Sequence, residues 1–385
     1  MRSTLLLGIG FGMVAVSAVL AQGQAPPPNP AVNLQATADP RYAEVIAKCK
    51  TPPPGRAGGG GGARPGGAPG AGAAPGAAAA GQGRGAAAQG GAAGPGRGPA
   101  AAGPAEYTVT AIPGVIAAGQ KWTTVYHTTG NNGDGPLAAG DGGLLIAQND
   151  NGVVLKIDPK GQTSPVYRNT NTGGALAMNT KGALFVVSRG INNAILQLAP
   201  QRRVFASSYN GDALECLGGV VNDLTADSKG GVYFTMGGVF HADPKGVVTA
   251  YGENLRTNGI ILSPDERTLY VTNGAAIAAF DVRPDGSLAN QREFAKLSVG
   301  GGDGMAVDAA GRLYVTAGGG AGGGGVHVFA PDGKPLGQIG SPRSLITVAF
   351  SGAGKKTLYA IANDRQNVDV YTIPMIAQGY TKRAK

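Results

Sequence analysis

The chain reads as an all-β protein: a six-bladed β-propeller preceded by a signal peptide and a disordered Ala/Gly/Pro-rich linker. Three observations predict it. From about residue 106 the text breaks into short runs of Val, Leu, Ile, Tyr and Thr bounded by Asp-Pro, Pro-Asp-Gly, Ala-Gly or Lys-Gly turns. Helical periodicity is nowhere sustained in that stretch. The strand-turn text also repeats at the length of a four-stranded blade.

Residues 1–21 carry Met1-Arg2, an apolar run from Leu5 to Leu20 and a small-residue close at Val19-Leu20-Ala21 before polar Gln22. This is the layout of a secretory signal cleaved after Ala21, so the mature chain is expected to be exported, periplasmic or secreted, with no membrane span after cleavage. The rival is an uncleaved anchor, for which the run is short and glycine-interrupted. Residues 22–54 hold one short helix beginning at Asp39-Pro40, an acidic cap followed by proline, and end on Thr51-Pro52-Pro53-Pro54.

Residues 55–105 are almost wholly Gly, Ala, Pro, Gln and Arg, a composition that buries too little apolar surface to offset the entropy of ordering it. The first 105 residues carry +6 of the net charge of +9. That excess is thinly spaced in linker text, with no basic stripe or interleaved aromatics, so nucleic acid is excluded as a partner. The remaining 280 residues, 106–385, suit one large domain. The two cysteines, Cys49 and Cys216, admit either a disulfide or two free thiols.

The repeat appears on aligning segments that end Gly-x-Leu-Tyr-Val. Its blocks start at Asp134, Gly174, Asn222, Asn258, Asp303 and Ile346, spaced 40, 48, 36, 45 and 43 residues apart. A third strand follows each block, as at Ala194–Ala199 or Asn367–Thr372, and Tyr107–Thr128 is left to complete the last blade and close the ring. The first position of each block starts the innermost strand and faces the axis. Four of the six are side-chain oxygen donors. Carboxylates converging on an axis are costly without a cation, and two carboxylates with two amides and no Cys or His form a hard, oxygen-only set. Such a set suits one divalent cation, Ca²⁺ first, with Mg²⁺ or Mn²⁺ acceptable and Zn²⁺ disfavoured. His127, His241 and His327 fall outside these positions and are read as surface or packing residues. No Gly-x-Ser-x-Gly elbow or Cys-x-x-Cys motif is present.

Three blocks carry a resemblance: Val221-Asn222-Asp223-Leu224 through Val232-Tyr233-Phe234-Thr235, Thr257-Asn258-Gly259 through Leu269-Tyr270-Val271, and Asp303-Gly304-Met305-Ala306-Val307-Asp308. In this order they resemble the gluconolactonase, senescence marker protein (regucalcin) and luciferin-regenerating enzyme family over roughly residues 130–375. The resemblance implies a six-bladed propeller with one axial divalent metal and hydrolysis of sugar-acid lactones. It implies Asn258 and Asp303 as metal ligands and Asn222 beside metal and substrate. Asp134-Gly135-Pro136 stands where the family has Glu-Gly-Pro. Val220 replaces an arginine found two residues before the middle-blade Asn in some relatives, and Gly174 replaces an Asn of the second blade.

The expected site is therefore Asp134, Asn258 and Asp303 on the metal, Asp303 also as general base, and Asn222 orienting substrate or water with Asp223 supporting it. The expected activity is that of an exported, monomeric, metal-dependent lactone hydrolase acting on a small-molecule lactone or sugar acid. The alternative is a non-catalytic periplasmic propeller that binds a carbohydrate or protein through its rim, with the metal structural.

Overall fold

A computed structural model describes residues 35–50, 109–318 and 324–383. The expected signal peptide and linker lie outside these residues. The strands number β1 (Thr123–Thr129) to β26 (Asn367–Pro374) and form six four-stranded antiparallel sheets, with one further two-stranded ribbon. Blade one is β2 (Asp134–Ala138), β3 (Leu144–Gln148), β4 (Val153–Ile157) and β5 (Thr163–Arg168). Blade two is β6 (Gly173–Met178), β7 (Leu184–Ser188), β8 (Ala194–Ala199) and β9 (Arg203–Ala206); the ribbon β10 (Ser208–Tyr209) and β11 (Asp212–Ala213) follows. Blade three is β12 (Leu224–Ala226), β13 (Val232–Thr235), β14 (Val239–Ala242) and β15 (Val248–Tyr251). Blade four is β16 (Thr257–Leu262), β17 (Thr268–Asn273), β18 (Ala276–Val282) and β19 (Leu288–Lys296). Blade five is β20 (Gly302–Val307), β21 (Leu313–Ala317), β22 (Gly325–Phe329) and β23 (Pro335–Gly340).

Blade six takes β24 (Thr347–Ser351), β25 (Thr357–Asn363) and β26 from the C-terminal end, and β1 supplies its outermost strand, pairing Thr123–Thr129 against Asn367–Thr372. The segment before the first block thus closes the ring, as the sequence reading expected. Closure removes the open edge that a stack of sheets would otherwise leave.

Burial follows position in the blade. The second strands β3, β7 and β21 are buried along their whole length, because neighbouring blades cover both faces, which is why they read as unbroken apolar text. The outer strand β5 is mostly exposed and polar. Hydrophobic clusters form between blades: Phe185 and Phe205 of blade two, with ring centroids 5.1 Å apart, share a cluster with Phe234 and Phe240 of blade three, 5.3 Å apart. The Asp and Asn residues of the turns cap them. Asp158 Oδ1 accepts from the amides of Lys160 (2.9 Å) and Gln162 (2.8 Å), and Asn179 Oδ1 does the same for Lys181 and Ala183 (3.0 Å each).

The inner strands β2, β6, β12, β16, β20 and β24 each neighbour the next around the axis. At the second position of the block in blades one, four and five the neighbouring strand comes so close that a side chain has no room. A Cβ on Gly259 would stand 2.2 Å from the Asp303 carbonyl oxygen, and one on Gly135, at φ +51°, would stand 2.5 Å from Ala175 Cα. Asp-Gly and Asn-Gly at the head of a block are therefore packing signals as well as chemical ones.

The segment before the linker returns to the ring. Its short helix α1 (Tyr42–Ile46) follows a 3₁₀ turn at Ala36–Ala38, and Cys49 is disulfide-bonded to Cys216, with the Cα atoms 5.6 Å apart. Lys50 Nζ donates to the Asn210 carbonyl at 3.0 Å, and the Ala36 amide donates to the Arg189 carbonyl at 2.8 Å.

Two predictions follow from this packing. Gly259→Ala forces neighbouring inner strands apart and should cost about 1–3 kcal/mol or more. Gly140→Ala, with nothing within 4 Å, should stay within about 0.5 kcal/mol of wild type. Urea unfolding midpoints compare the two, and equal midpoints would refute the close-approach argument. The second concerns His327, buried in β22 with an unpartnered Nε2, where burial pushes the imidazole below its ordinary value. Below pH 6.5 the unfolded chain then binds a proton that the folded chain does not, so stability present above pH 6.5 declines on acidification. His327→Leu should flatten that acid limb in a pH series of unfolding midpoints.

Candidate active site on the propeller axis

The six block-head positions converge as expected. Asp134, Asn222, Asn258, Asp303 and Ile346 line one axial cavity of about 320 Å³, and Gly174 belongs to the same ring. Gln35, Asn131, Val220, Asp223, Arg189, Asn363 and Arg365 complete much of its wall. The volume lies at the small end of ligand pockets, fitting a small molecule rather than a polymer. A larger, open groove of about 700 Å³ lies along Tyr251–Asn254 and β19, where Arg292 pairs with Asp281 on the exposed surface and Gln291 bonds the Glu253 backbone.

Each head residue is held by the backbone around it. The buried hydroxyls Thr235, Thr272 and Thr316 end the Val-Tyr-Phe-Thr and Leu-Tyr-Val-Thr strands beside the axis. Thr235 Oγ1 donates to the Asn258 carbonyl (2.6 Å), tying blade three to blade four. Thr272 Oγ1 accepts from the Gly259 amide (2.7 Å). Thr316 Oγ1 lies 3.0 Å from both the Gly304 and Ile346 carbonyls, between blades five and six.

Asp223 stands at a second block position, where blades one, four and five have Gly135, Gly259 and Gly304. Its Oδ1 accepts from the Leu224 amide (2.8 Å), and its Oδ2 crosses to the Ile260 amide of blade four (3.0 Å). The carboxylate lines the cavity yet is committed to the backbone, so it positions Asn222 and Asn258 rather than pointing a free oxygen at a ligand.

Asp303 is half-buried at the end of the cavity. Desolvation, then the carboxylates of Asp134 and Asp223, push its carboxyl up to about 8, opposed by Arg189 and by the Gly304 amide. The site is thus short of positive charge at Asp303, the condition a bound cation relieves. Asn222 Nδ2 donates to Asn258 Oδ1.

Arg189 was not among the expected site residues, and it is the main cation of the cavity wall. It follows β7, and its side chain is only 8% exposed. Nη1 reaches Asp134 Oδ2 at 2.7 Å; Nη2 reaches the Asn222 carbonyl at 2.6 Å and Asn222 Oδ1 at 3.0 Å; Nε donates to the Val221 carbonyl at 3.1 Å. The guanidinium lies across Gly174, where a Cβ would stand 2.2 Å from Arg189 Cζ. A sequence signal existed. In the column three residues past the end of each Gly-x-Leu-Tyr-Val segment, the blades read Asn149, Arg189, Gly237, Gly274, Gly318 and Asn363, so one charged residue stands among glycines and amides. Gln35, brought to the cavity by the anchored N-terminal segment, left no such signal.

The donor chemistry fits a hard divalent cation. Asp134, Asn222, Asn258 and Asp303 offer side-chain oxygens to one cavity, and among the described residues no cluster of three or more His, Cys, Asp and Glu exists to hold a softer ion. The histidines lie elsewhere: His127 Nδ1 is 2.8 Å from Asp369 Oδ1, His241 stacks on Tyr233, and His327 is buried in blade five.

A family model described as the SMP-30/Gluconolactonase/LRE-like region matches residues 132–363. The chain is 29% identical over 253 residues to the gluconolactonase of Zymomonas mobilis, covering 56% of this chain and 68% of that protein. It is 30% identical over 226 residues to lactonase drp35 of Staphylococcus aureus, covering 51% and 66%. A solved gluconolactonase from Xanthomonas campestris superposes with a TM-score of 0.59 at 23% identity, over 70% of this chain and 94% of that one. A calcium-binding regucalcin from Agrobacterium tumefaciens gives 0.55 at 17%, over 66% and 94%. These two share the fold.

Asp303→Asn removes a desolvated charge facing other carboxylates and should leave the chelated protein at least as stable as wild type. Asp223→Ala strips an acceptor from two buried amides and should lose about 1–3 kcal/mol. Thermal melts in chelator read both, and a large loss for Asp303→Asn would assign that carboxylate to structure instead.

Proposed function

Because the chain belongs to the SMP-30/gluconolactonase/LRE-like family, lactone hydrolysis is the chemistry we propose for its axial cavity. The observation that carries the reading is the convergence of Asp134, Asn222, Asn258 and Asp303, from four different blades, on one small cavity. The gluconolactonase and lactonase relatives support the same reaction class.

In this reading Asp134, Asn258 and Asp303 hold one divalent cation, Ca²⁺ first and Mg²⁺ or Mn²⁺ next, with Asn222 beside it. When bound, the ion supplies Lewis acidity for the lactone carbonyl and acidifies nearby water. Asp303 acts as general base. Burial and neighbouring carboxylates raise its proton affinity in the metal-free cavity, and with that repulsion offset by a bound cation it stays ionised to take a proton from the attacking water. Asn222, anchored through Asn258 and Arg189, presents its amide to the substrate or the water. Asp223 keeps the inner strands of blades three and four in register beneath it. Val220 on the wall offers no charge to an acidic substituent, which favours a neutral or small lactone.

The protein acts as an exported monomer on a small molecule, with the Cys49–Cys216 bond compatible with an oxidising compartment. No helix among the described residues is long and apolar enough to cross a membrane. A second reading, a non-catalytic propeller that binds a carbohydrate or protein with a structural metal, is favoured by one observation. Both oxygens of Asp134 are already engaged, Oδ2 by Arg189 and Oδ1 by the Gly135 amide at 2.7 Å.

The test is hydrolysis of glucono-δ-lactone and simple aliphatic lactones after chelation and resupply of Ca²⁺, Mg²⁺, Mn²⁺ or Zn²⁺. Wild type should regain activity with an oxygen-preferring ion, and Asp303→Asn should lose at least a hundredfold. Absence of turnover with every ion, together with a metal-dependent rise in Tm, would establish the binding reading instead.

A further inference from the structure

We propose that the Arg189 guanidinium is a resident cation of the axial site that competes with the divalent metal for Asp134 and Asn222. The inference rests on the metal-holding role given to those residues above and concerns how that role is controlled.

Three observations carry it. First, Arg189 is anchored independently of Asp134: Nε binds the Val221 carbonyl and Nη2 the Asn222 carbonyl, two backbone acceptors of blade three. The guanidinium is therefore held beside the site by the fold whether or not Nη1 contacts Asp134. Second, it takes the oxygens a metal would use, Asp134 Oδ2 at 2.7 Å and Asn222 Oδ1 at 3.0 Å. A divalent ion on those atoms has to displace a charge-assisted, nearly buried contact and then share the cavity with an unpaired guanidinium. Third, the space for Arg189 is made by Gly174. Any side chain at that block head would overlap the guanidinium, with a Cβ 2.2 Å from Cζ and 2.4 Å from Nε. Blade two thus brings no oxygen donor to the axis from its block head and brings a cation there from Arg189.

The consequence is a lower and more selective metal affinity than the ligand set alone would give. Asp303 makes no contact with the guanidinium, while Asp134 Oδ2 and Asn222 Oδ1 pass to the ion only when Arg189 releases them. The Ala36 amide bonds the Arg189 carbonyl at 2.8 Å, so the disulfide-tethered N-terminal segment braces the backbone from which this arginine projects.

Calorimetric titration of the chelated full chain with Ca²⁺ and Mn²⁺ tests this, using Arg189→Met, Arg189→Lys and Gly174→Ala, each checked for cooperative melting. Arg189→Met should bind at least tenfold more tightly than wild type. Gly174→Ala, which expels the guanidinium without deleting it, should shift the same way. Arg189→Lys, which keeps the charge and loses the fork, should fall between wild type and Arg189→Met. Unchanged or weaker binding in folded Arg189→Met, or no binding by any variant, would overturn the competition. The lactone assay is read separately: turnover with unchanged metal affinity sinks this inference alone, whereas tighter binding without turnover sinks only the hydrolase reading.

Discussion

Everything at the site depends on how near the six inner strands come to one another around the axis. Where an atom of the next strand lies 2.2–2.5 Å from a would-be Cβ, backbone at Gly135 and Gly259 and the Thr347 side chain at Gly304, only glycine fits, and the preceding residue is left as the last side chain before the channel. That is why Asp134, Asn258 and Asp303 each precede a glycine, and why their oxygens face one cavity instead of three separate turns. Thr235, Thr272 and Thr316, near the ends of β13, β17 and β21, serve the same contact from the next strand outward, bonding the backbone of Asn258, Gly259 and Gly304. Packing and chemistry are set by one geometric requirement.

Blades two, three and six carry Ala175, Asp223 and Thr347 in the glycine column, and blade three shows what a side chain there does. Asp223 fills the glycine column with a carboxylate, and its oxygens go to the Leu224 and Ile260 amides, replacing direct strand approach by a bridge. The same atoms add negative charge beside Asp303. A residue kept for holding blades together thereby raises the proton affinity of the carboxyl beside it, through Coulomb repulsion in a poorly solvated cavity.

Much of this was legible in the sequence, for reasons that can be named. Unbroken apolar runs of five residues, the Asx-capped turns and the 36–48-residue spacing are local patterns, and they located all six blades and the closing strand. The axial oxygens were legible because they recur at one repeat position. Arg189 and Gln35 stand outside that repeat position. Arg189 reaches the axis from the column beyond the second strand, so finding it required reading a second column against the first. Gln35 reaches the cavity through tertiary contacts of a segment outside the repeat. Asp223 was located correctly in sequence, but its oxygens' commitment to amides on another blade is a long-range fact that spacing does not encode.

Gly174 and Arg189 make physical sense only as a pair. With an amide side chain at 174, the guanidinium has nowhere to lie, and its buried charge would lose Asp134 and the Val221 and Asn222 carbonyls together. With glycine at 174 and no arginine, the cavity would be larger, more negative and missing one wall. A fixed guanidinium differs from a metal in what it can do: it neutralises Asp134 continuously, cannot dissociate with chelator, and offers donors where a metal offers open coordination positions. In the competition proposed above, blade two sets the balance between two cations at one carboxylate, one carried by the chain and one drawn from solution. The electrostatics of the whole axial site turn on which of them Asp134 holds.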